Sequence, residues 1–124
     1  MAKRILVVED EPDHRELLQI IFSVHGYDVE TAANAGEALE HIAQHVPDAM
    51  IVDVMLPDMD GWHLCERTKS MPEACHVPVL VLSASANLQQ RFENSCADDM
   101  LTKPFDDREL LEKIRHLTGE SVSQ

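Results

Sequence analysis

Glu9, Asp10, Asp53, Ser83 and Lys103 are the residues of this sequence whose types and spacing could do chemistry together. Each closes or follows a short apolar run. Glu9, Asp10 and Glu11 come after "ILVV", Asp53 after "DAMIV", Ser83 after "VPVLVL" and Lys103 after "DMLT". A charged group at the edge of an apolar core is costly unless something pairs with it. One such residue has an ordinary reading as a turn or cap; four strands delivering polar groups to one rim do not. Glu9, Asp10 and Asp53 would crowd three negative charges into one mouth, and like charges this close resist ionisation unless a cation intervenes. Carboxylate oxygens with open water positions suit Mg²⁺, and Mn²⁺ accepts the same donors. With Lys103, such a cation balances the three carboxylates and lets a dianionic phosphoryl group enter. Asp53 is then the nucleophile on phosphorus. The cation and Lys103 steady the equatorial oxygens, Ser83 hydrogen-bonds one of them, and the small Ala84 leaves room.

The elements that must hold these residues alternate along the chain. "ILVV" (5–8) predicts a first strand, and Leu17, Leu18, Ile21 and Phe22 at helical spacing predict a helix that Gly26 ends. "DVETA" (28–32) reads as a half-exposed edge strand. Asn34 followed by Glu37 starts a second helix with the stripe Ala35, Ala38, Leu39, Ile42 and Val46. The third strand runs into Asp53, the loop "LPDMDG" (56–61) follows, and a helix is expected from about Trp62 to Ser70. "VPVLVLSA" (77–84), "QQRFENS" and "DMLTK" (99–103) predict the fourth strand, a short polar helix and the fifth strand. Asp106 caps a last helix carrying Leu110, Leu111, Ile114 and Leu117, and the tail 120–124 is expected to fray. Alternating strands and helices of this kind imply an α/β domain with a parallel sheet covered on both faces.

Bulk properties narrow the function classes. With 124 residues, 44% of them hydrophobic, the chain suits one domain with a real core. A formal net charge of −13, with only 10 Lys and Arg and no cluster of them, argues against direct binding of nucleic acid or anionic membrane. Cys65, Cys75 and Cys96 match no zinc spacing and no disulfide framework, which predicts reduced thiols in a cytoplasmic protein. No apolar run is long enough for a membrane span, and the start is too short in apolar residues for a signal peptide.

"ILVVEDEPDHRELL", "IVDVMLPDMDGWHLC", "VPVLVLSA" and "ADDMLTKPF" together resemble the receiver domain of bacterial two-component response regulators, in order and over about residues 3 to 118. The resemblance implies a flavodoxin-like, doubly wound five-stranded sheet of order 2-1-3-4-5 with five helices, and a receiver unit over residues 1–119. It implies that Asp53 is the phosphoacceptor. Asp10, Asp53 and the backbone carbonyl of Met55 would ligate Mg²⁺, with Glu9 acting through water. Ser83 and Lys103 would contact the phosphoryl group, along with the Ala84 backbone amide, and the Lys103–Pro104 peptide would be cis. The implied donor is a phosphohistidine on a sensor kinase or phosphotransfer domain, docking on the first helix near His14, Arg15 and Leu18. The sequence departs from the family twice. Met100 stands where Tyr or Phe is usual, so the aromatic readout is absent and the switch with Ser83 would fall to a flexible methionine; Cys96 stands where glycine is usual before "AD".

Other residues have plainer readings. His41 and His45 suit a solvated helix face, and Asp58 and Asp60 the turn and the cap of the following helix. Asp98 and Asp99 suit a loop, Trp62 either packing or a partner contact, and the cysteines small inert hydrophobes. The chain could be a stand-alone regulator or relay intermediate, or the receiver of a longer protein. In a longer regulator, DNA binding could belong to the missing part, through a dimer formed on the fourth and fifth helices with Arg91, Asp99 and Arg115 as candidates. Two rivals remain: a phosphohydrolase, disfavoured because Met55 stands where an acid–base Asp would be needed, and a degenerate receiver that binds partners without phosphorylation. A flavin site is excluded, because the loop after the first strand is acidic where a phosphate cradle needs backbone amides.

Overall fold

The computed structural model describes residues 2–84 and 87–119, so the expected fraying of 120–124 lies outside the described residues. Ten elements follow in strict alternation: β1 (Arg4–Val8), α1 (Pro12–Val24), β2 (Asp28–Ala32), α2 (Ala35–Gln44), β3 (Ala49–Asp53), α3 (Gly61–Lys69), β4 (Val79–Ser83), α4 (Leu88–Glu93), β5 (Asp99–Thr102) and α5 (Asp107–Leu117). All strands pair in parallel in the order β2-β1-β3-β4-β5. This is the doubly wound fold that the sequence implied.

The strand pleat sorts side chains to two layers. Leu6, Val8, Met50, Val52, Val79 and Val81 point toward α2, α3 and α4, where Ile42, Leu64 and Leu88 meet them. Ile5, Val7, Ile51, Leu80 and Leu82 point the other way, onto Leu18, Phe22, Leu110 and Ile114 of α1 and α5. Every residue of β3 and β4 is buried, and β2 is the most exposed strand, as its polar sequence requires at an edge. The registers set Val8 beside Val52, Asp53 beside Leu82, and Ser83 beside Thr102. The carboxyl ends of four strands therefore finish at one rim.

Local chemistry fixes the helix ends. Gly26 sits at φ 91° after α1, in the region that only glycine enters cheaply. Asn34 accepts a hydrogen bond from the Glu37 backbone N–H at 2.8 Å, and Glu37 reaches back to the Ala33 N–H at 3.0 Å. Asp106 and Glu109 form a reciprocal capping box on α5.

Three expectations need correction. Leu17 leaves the buried stripe of α1 and is 51% exposed, because Leu18, Ile21 and Phe22 already fill the arc that faces the sheet. Asp58 does not serve α3. Its carboxylate reaches across to α2 and accepts from Ala35 and Gly36 N–H, each at 2.9 Å, while Asp60 caps α3 through the His63 N–H. Asp98 is no plain loop residue: its carboxylate takes the Val79 N–H at 2.8 Å and Lys69 Nζ at 2.7 Å, tying the end of α3 to the start of β4. Asp99 opens β5 and pairs with Lys113 at 3.1 Å. Trp62 is buried, with the Arg91 guanidinium 5.4 Å from its ring centre. No helix among the described residues is long and apolar enough to cross a membrane.

Candidate phosphoryl and metal site

β1 and β3 deliver the acidic residues and β5 the cation. Asp53 is the last residue of β3 and only 7% exposed, Glu9 follows β1 at 2%, and Asp10 beside it is open to solvent. One carboxylate oxygen from each of the three lies within 4.8 Å of the others. Among the described residues this is the one group whose donors could share a metal ion. Lys103, just past β5, brings Nζ to 3.3 Å from Asp53 Oδ2 and 3.5 Å from Glu9 Oε1. The Lys103 backbone N–H donates to the Ser83 carbonyl at 2.9 Å, which locks the ends of β4 and β5 together beside the site, and the Lys103–Pro104 peptide is cis. Ser83, buried at 5%, ends β4 on the same rim, and Ala84 after it is exposed.

Glu9 has its pKa raised above the ordinary 4.5, first because burial strips water from its charged form, then because Asp53 lies against it. His14 and Lys103 pull in the opposite direction. One ammonium does not offset three neighbouring carboxylates, so the pocket has an excess of negative charge. All its donors are hard oxygens, the chemistry of a Mg²⁺ site.

Met55 lies in the loop after β3, where Met55 and Asp60 pair across a bridge; its side chain is exposed. Met100 lies in β5 opposite Val81, half-buried against the layer of Trp62 and Leu88, so it does not reach the carboxylates but flanks Ser83's strand.

Three contributors escaped the sequence reading. His14, expected only on a docking face, places Nδ1 against Glu9 Oε1 and its ring 6.2 Å from that of Phe105. Arg15 donates from Nη1 to the Glu9 and Asp10 carbonyls at 2.9 and 3.3 Å, holding the acidic pair from behind. Both sit in the first turn of α1, a few residues after the pair, and that spacing was the available signal. Gly61 is the third. A Cβ there would stand 2.4 Å from the Asp53 carbonyl oxygen, so α3 can press on the end of β3 only through glycine.

An acidic pocket with a facing lysine, at the strand ends of a 2-1-3-4-5 sheet, defines a receiver-type α/β module. Residues 5–115 match the response regulator receiver domain, and the chain belongs to that family. It is 43% identical over 119 residues to response regulator MprA of Mycobacterium ulcerans, a match covering 94% of this chain and 50% of that protein. The signal receiver domain of a signal transduction histidine kinase from Syntrophus aciditrophicus superposes with TM-score 0.89 at 34% identity, covering 99% and 98% of the two chains. The receiver domain of sensor histidine kinase PA1611 from Pseudomonas aeruginosa, solved with a magnesium ion coordinated in its active site cleft, gives TM-score 0.87 at 27% identity, covering 97% and 100%. The chain spans about half the length of the curated relatives it matches first.

Proposed function

We propose that this domain is a phosphorylation-dependent switch in which Asp53 accepts a phosphoryl group from a phosphohistidine of a sensor kinase or phosphotransfer protein. The observation that carries this reading is the position of Asp53: nearly buried, at the end of β3, with Lys103 at 3.3 Å and the Glu9–Asp10 pair beside it. Asp10, Asp53 and the Met55 carbonyl would hold Mg²⁺ directly, and Glu9 through water. When bound, Mg²⁺ supplies the positive charge that draws the phosphoryl oxygens in and offsets the carboxylates. An Asp53 oxygen attacks phosphorus while the bond to the donor imidazole breaks. Lys103 moves its ammonium from the two carboxylates to a phosphoryl oxygen. The Ser83 hydroxyl and the Ala84 backbone amide donate to the remaining oxygens.

Pulling Ser83 inward shifts the end of β4, and the flexible Met100 side chain next to it repacks to follow, altering the face formed by α4 and β5. Docking of the donor uses α1, where Leu17, Ile20 and Val24 are 51%, 51% and 75% exposed. Beside them a cleft of about 350 Å³, lined by His14, Leu17, Ala84, Lys103 and Phe105, leads to the site. Residues 1–119 form the receiver unit, acting in the cytoplasm. The downstream element is either a separate protein target or an output domain of the kind that fills out the longer relatives, with dimerisation through the α4–β5–α5 face as one route. Met55, two residues past the nucleophile, has no carboxylate to activate water, so loss of the phosphoryl group is slow and the domain is a switch rather than a turnover enzyme.

Incubation with acetyl phosphate, with and without Mg²⁺, followed by intact mass measurement tests this. A Mg²⁺-dependent gain of one phosphoryl unit, absent in Asp53→Asn, is expected. No gain from acetyl phosphate or from a phosphorylated histidine kinase would overturn it.

A further inference from the structure

Two of the three cysteines lie against each other, away from the acidic pocket. Cys65, on α3, is fully buried, and Cys96, in the segment between α4 and β5, is exposed. Their sulfurs are 3.1 Å apart although the residues are 31 positions apart in sequence. A disulfide is about 2.05 Å long, so about 1 Å of side-chain movement would close the bond. Cys96 is also the position where the sequence departs from its family's glycine, and nothing in the phosphoryl chemistry uses it.

We propose that Cys65 and Cys96 are a redox modification site, forming a reversible disulfide that staples α3 to the segment entering β5. A cleft of about 440 Å³ lined by Trp62, Glu66, Arg91, Asn94, Ser95 and Cys96 opens onto the outer thiol and admits a small oxidant. Burial pushes the Cys65 thiol up, and the adjacent Cys96 sulfur adds to this, so the inner cysteine stays protonated and unreactive until its partner is oxidised.

With a peroxide as oxidant, the Cys96 thiolate attacks one peroxide oxygen. An S–O bond forms, the O–O bond breaks, and the released hydroxide takes a proton to leave as water. The Cys65 sulfur then displaces hydroxide from the Cys96 sulfenic acid: the S–S bond forms, the S–O bond breaks, and the Cys65 proton leaves with hydroxide as a second water. One peroxide is reduced as two thiols are oxidised, and a cellular dithiol reverses the bond. Disulfides of intracellular proteins are typically of this transient, sensing kind. The bond encloses β4 and α4 in a covalent loop and anchors the approach to the strand that carries Met100 and leads to Lys103.

The test treats the full chain with hydrogen peroxide, without Mg²⁺ or phosphodonor, blocks remaining thiols with iodoacetamide, and maps peptides without reduction. Because no phosphoryl chemistry enters, this reading and the proposed switch stand or fall separately. The expected product is an intramolecular Cys65–Cys96 link with loss of two hydrogens, reversed by dithiothreitol. It should persist in Cys75→Ser and vanish in Cys96→Ser, a surface replacement that leaves the core intact. Alkylated Cys65 and Cys96 after oxidation, links that involve Cys75 instead, or Cys96 accumulating as sulfinic acid beside an alkylated Cys65 would each overturn it.

Discussion

Replacing Gly61 with alanine should damage both stability and the site, because the space for a methyl group is filled by backbone. The added Cβ would meet the Asp53 carbonyl oxygen at 2.4 Å, Val52 Cγ1 at 2.9 Å and the Asp53 carbonyl carbon at 3.0 Å, whereas ordinary contact begins at 3.4 Å. The overlap with the carbonyl oxygen is therefore about 1 Å. A carbonyl within a parallel ladder cannot rotate away as a side chain can, so α3 must lift off the sheet or the end of β3 must yield. The Gly61 N–H donates to the Val54 carbonyl at 2.8 Å and the Asp60 carboxylate caps the same turn, so lifting α3 strains both. Overpacking of this kind costs about 1–3 kcal/mol. Alanine's better helix propensity returns less than about 1 kcal/mol, and less still in a first turn. The net expectation is a loss of about 2 kcal/mol, or about 8 °C in Tm for a domain of this size. Urea unfolding of apo protein measures the first, and phosphorylation by acetyl phosphate, which should slow with the shifted Asp53, measures the second. Gly36→Ala is the matched control: it also lies in a first turn, but its nearest neighbours are the side-chain oxygens of Asn34 at 3.3 Å and Asp58 at 3.5 Å, and it should be nearly neutral. A Gly61→Ala protein as stable as the parent and phosphorylated at the same rate would refute the claim that α3 rests on the Asp53 backbone.

Asp58→Ala should lose about 1 kcal/mol in urea unfolding at neutral pH, because two N–H groups at the start of α2 lose their acceptor. The Ala35 and Gly36 N–H groups hold the Asp58 pKa below its ordinary 3.8. Its contribution is therefore present above that value and lost as pH falls through the lower folded-state pKa; a wild-type-minus-variant difference that grows on acidification would contradict this. Glu9 shifts the other way. Its raised pKa makes its contribution to apo stability full below 4.5 and lost as pH rises through the folded-state value, so Glu9→Gln should be more stable than wild type at pH 7 in the presence of chelator. Mg²⁺ should raise the Tm of wild type by mass action, by about 2.7 kcal/mol of stability at a hundredfold excess over its Kd. Chelator should reverse the gain, and Asp10→Asn should reduce it; an equal Mg²⁺ response in Asp10→Asn would remove Asp10 from the ligand set.

The alternation of elements was legible in the sequence because each carries its own signal. The continuous apolar runs of β3 and β4 could belong only to strands buried on both faces. Asn34 with Glu37 and Asp106 with Glu109 marked helix starts through hydrogen bonds that span three residues, and Gly26 marked an end through a backbone angle. The acidic pair, Asp53, Ser83 and Lys103 could be grouped because parallel strands with one winding rule must end at one rim. What the sequence left open depended on contacts between distant segments. Asp58 could be read as a turn residue, but only the fold brings α2's unpaired N–H groups within 2.9 Å of it. Leu17 fits a helical stripe as well as Leu18 does, and only the angle at which α1 lies on the sheet decides which is buried. Gly61 looked like the end of a loop until β3 was packed beneath it. Cys65 and Cys96 share no spacing that sequence rules recognise, and their 3.1 Å approach exists because α3 and the segment before β5 pack side by side on the same face of the sheet. Periodicity and capping act over a few residues and are written locally, whereas these pairings form only when the chain closes on itself.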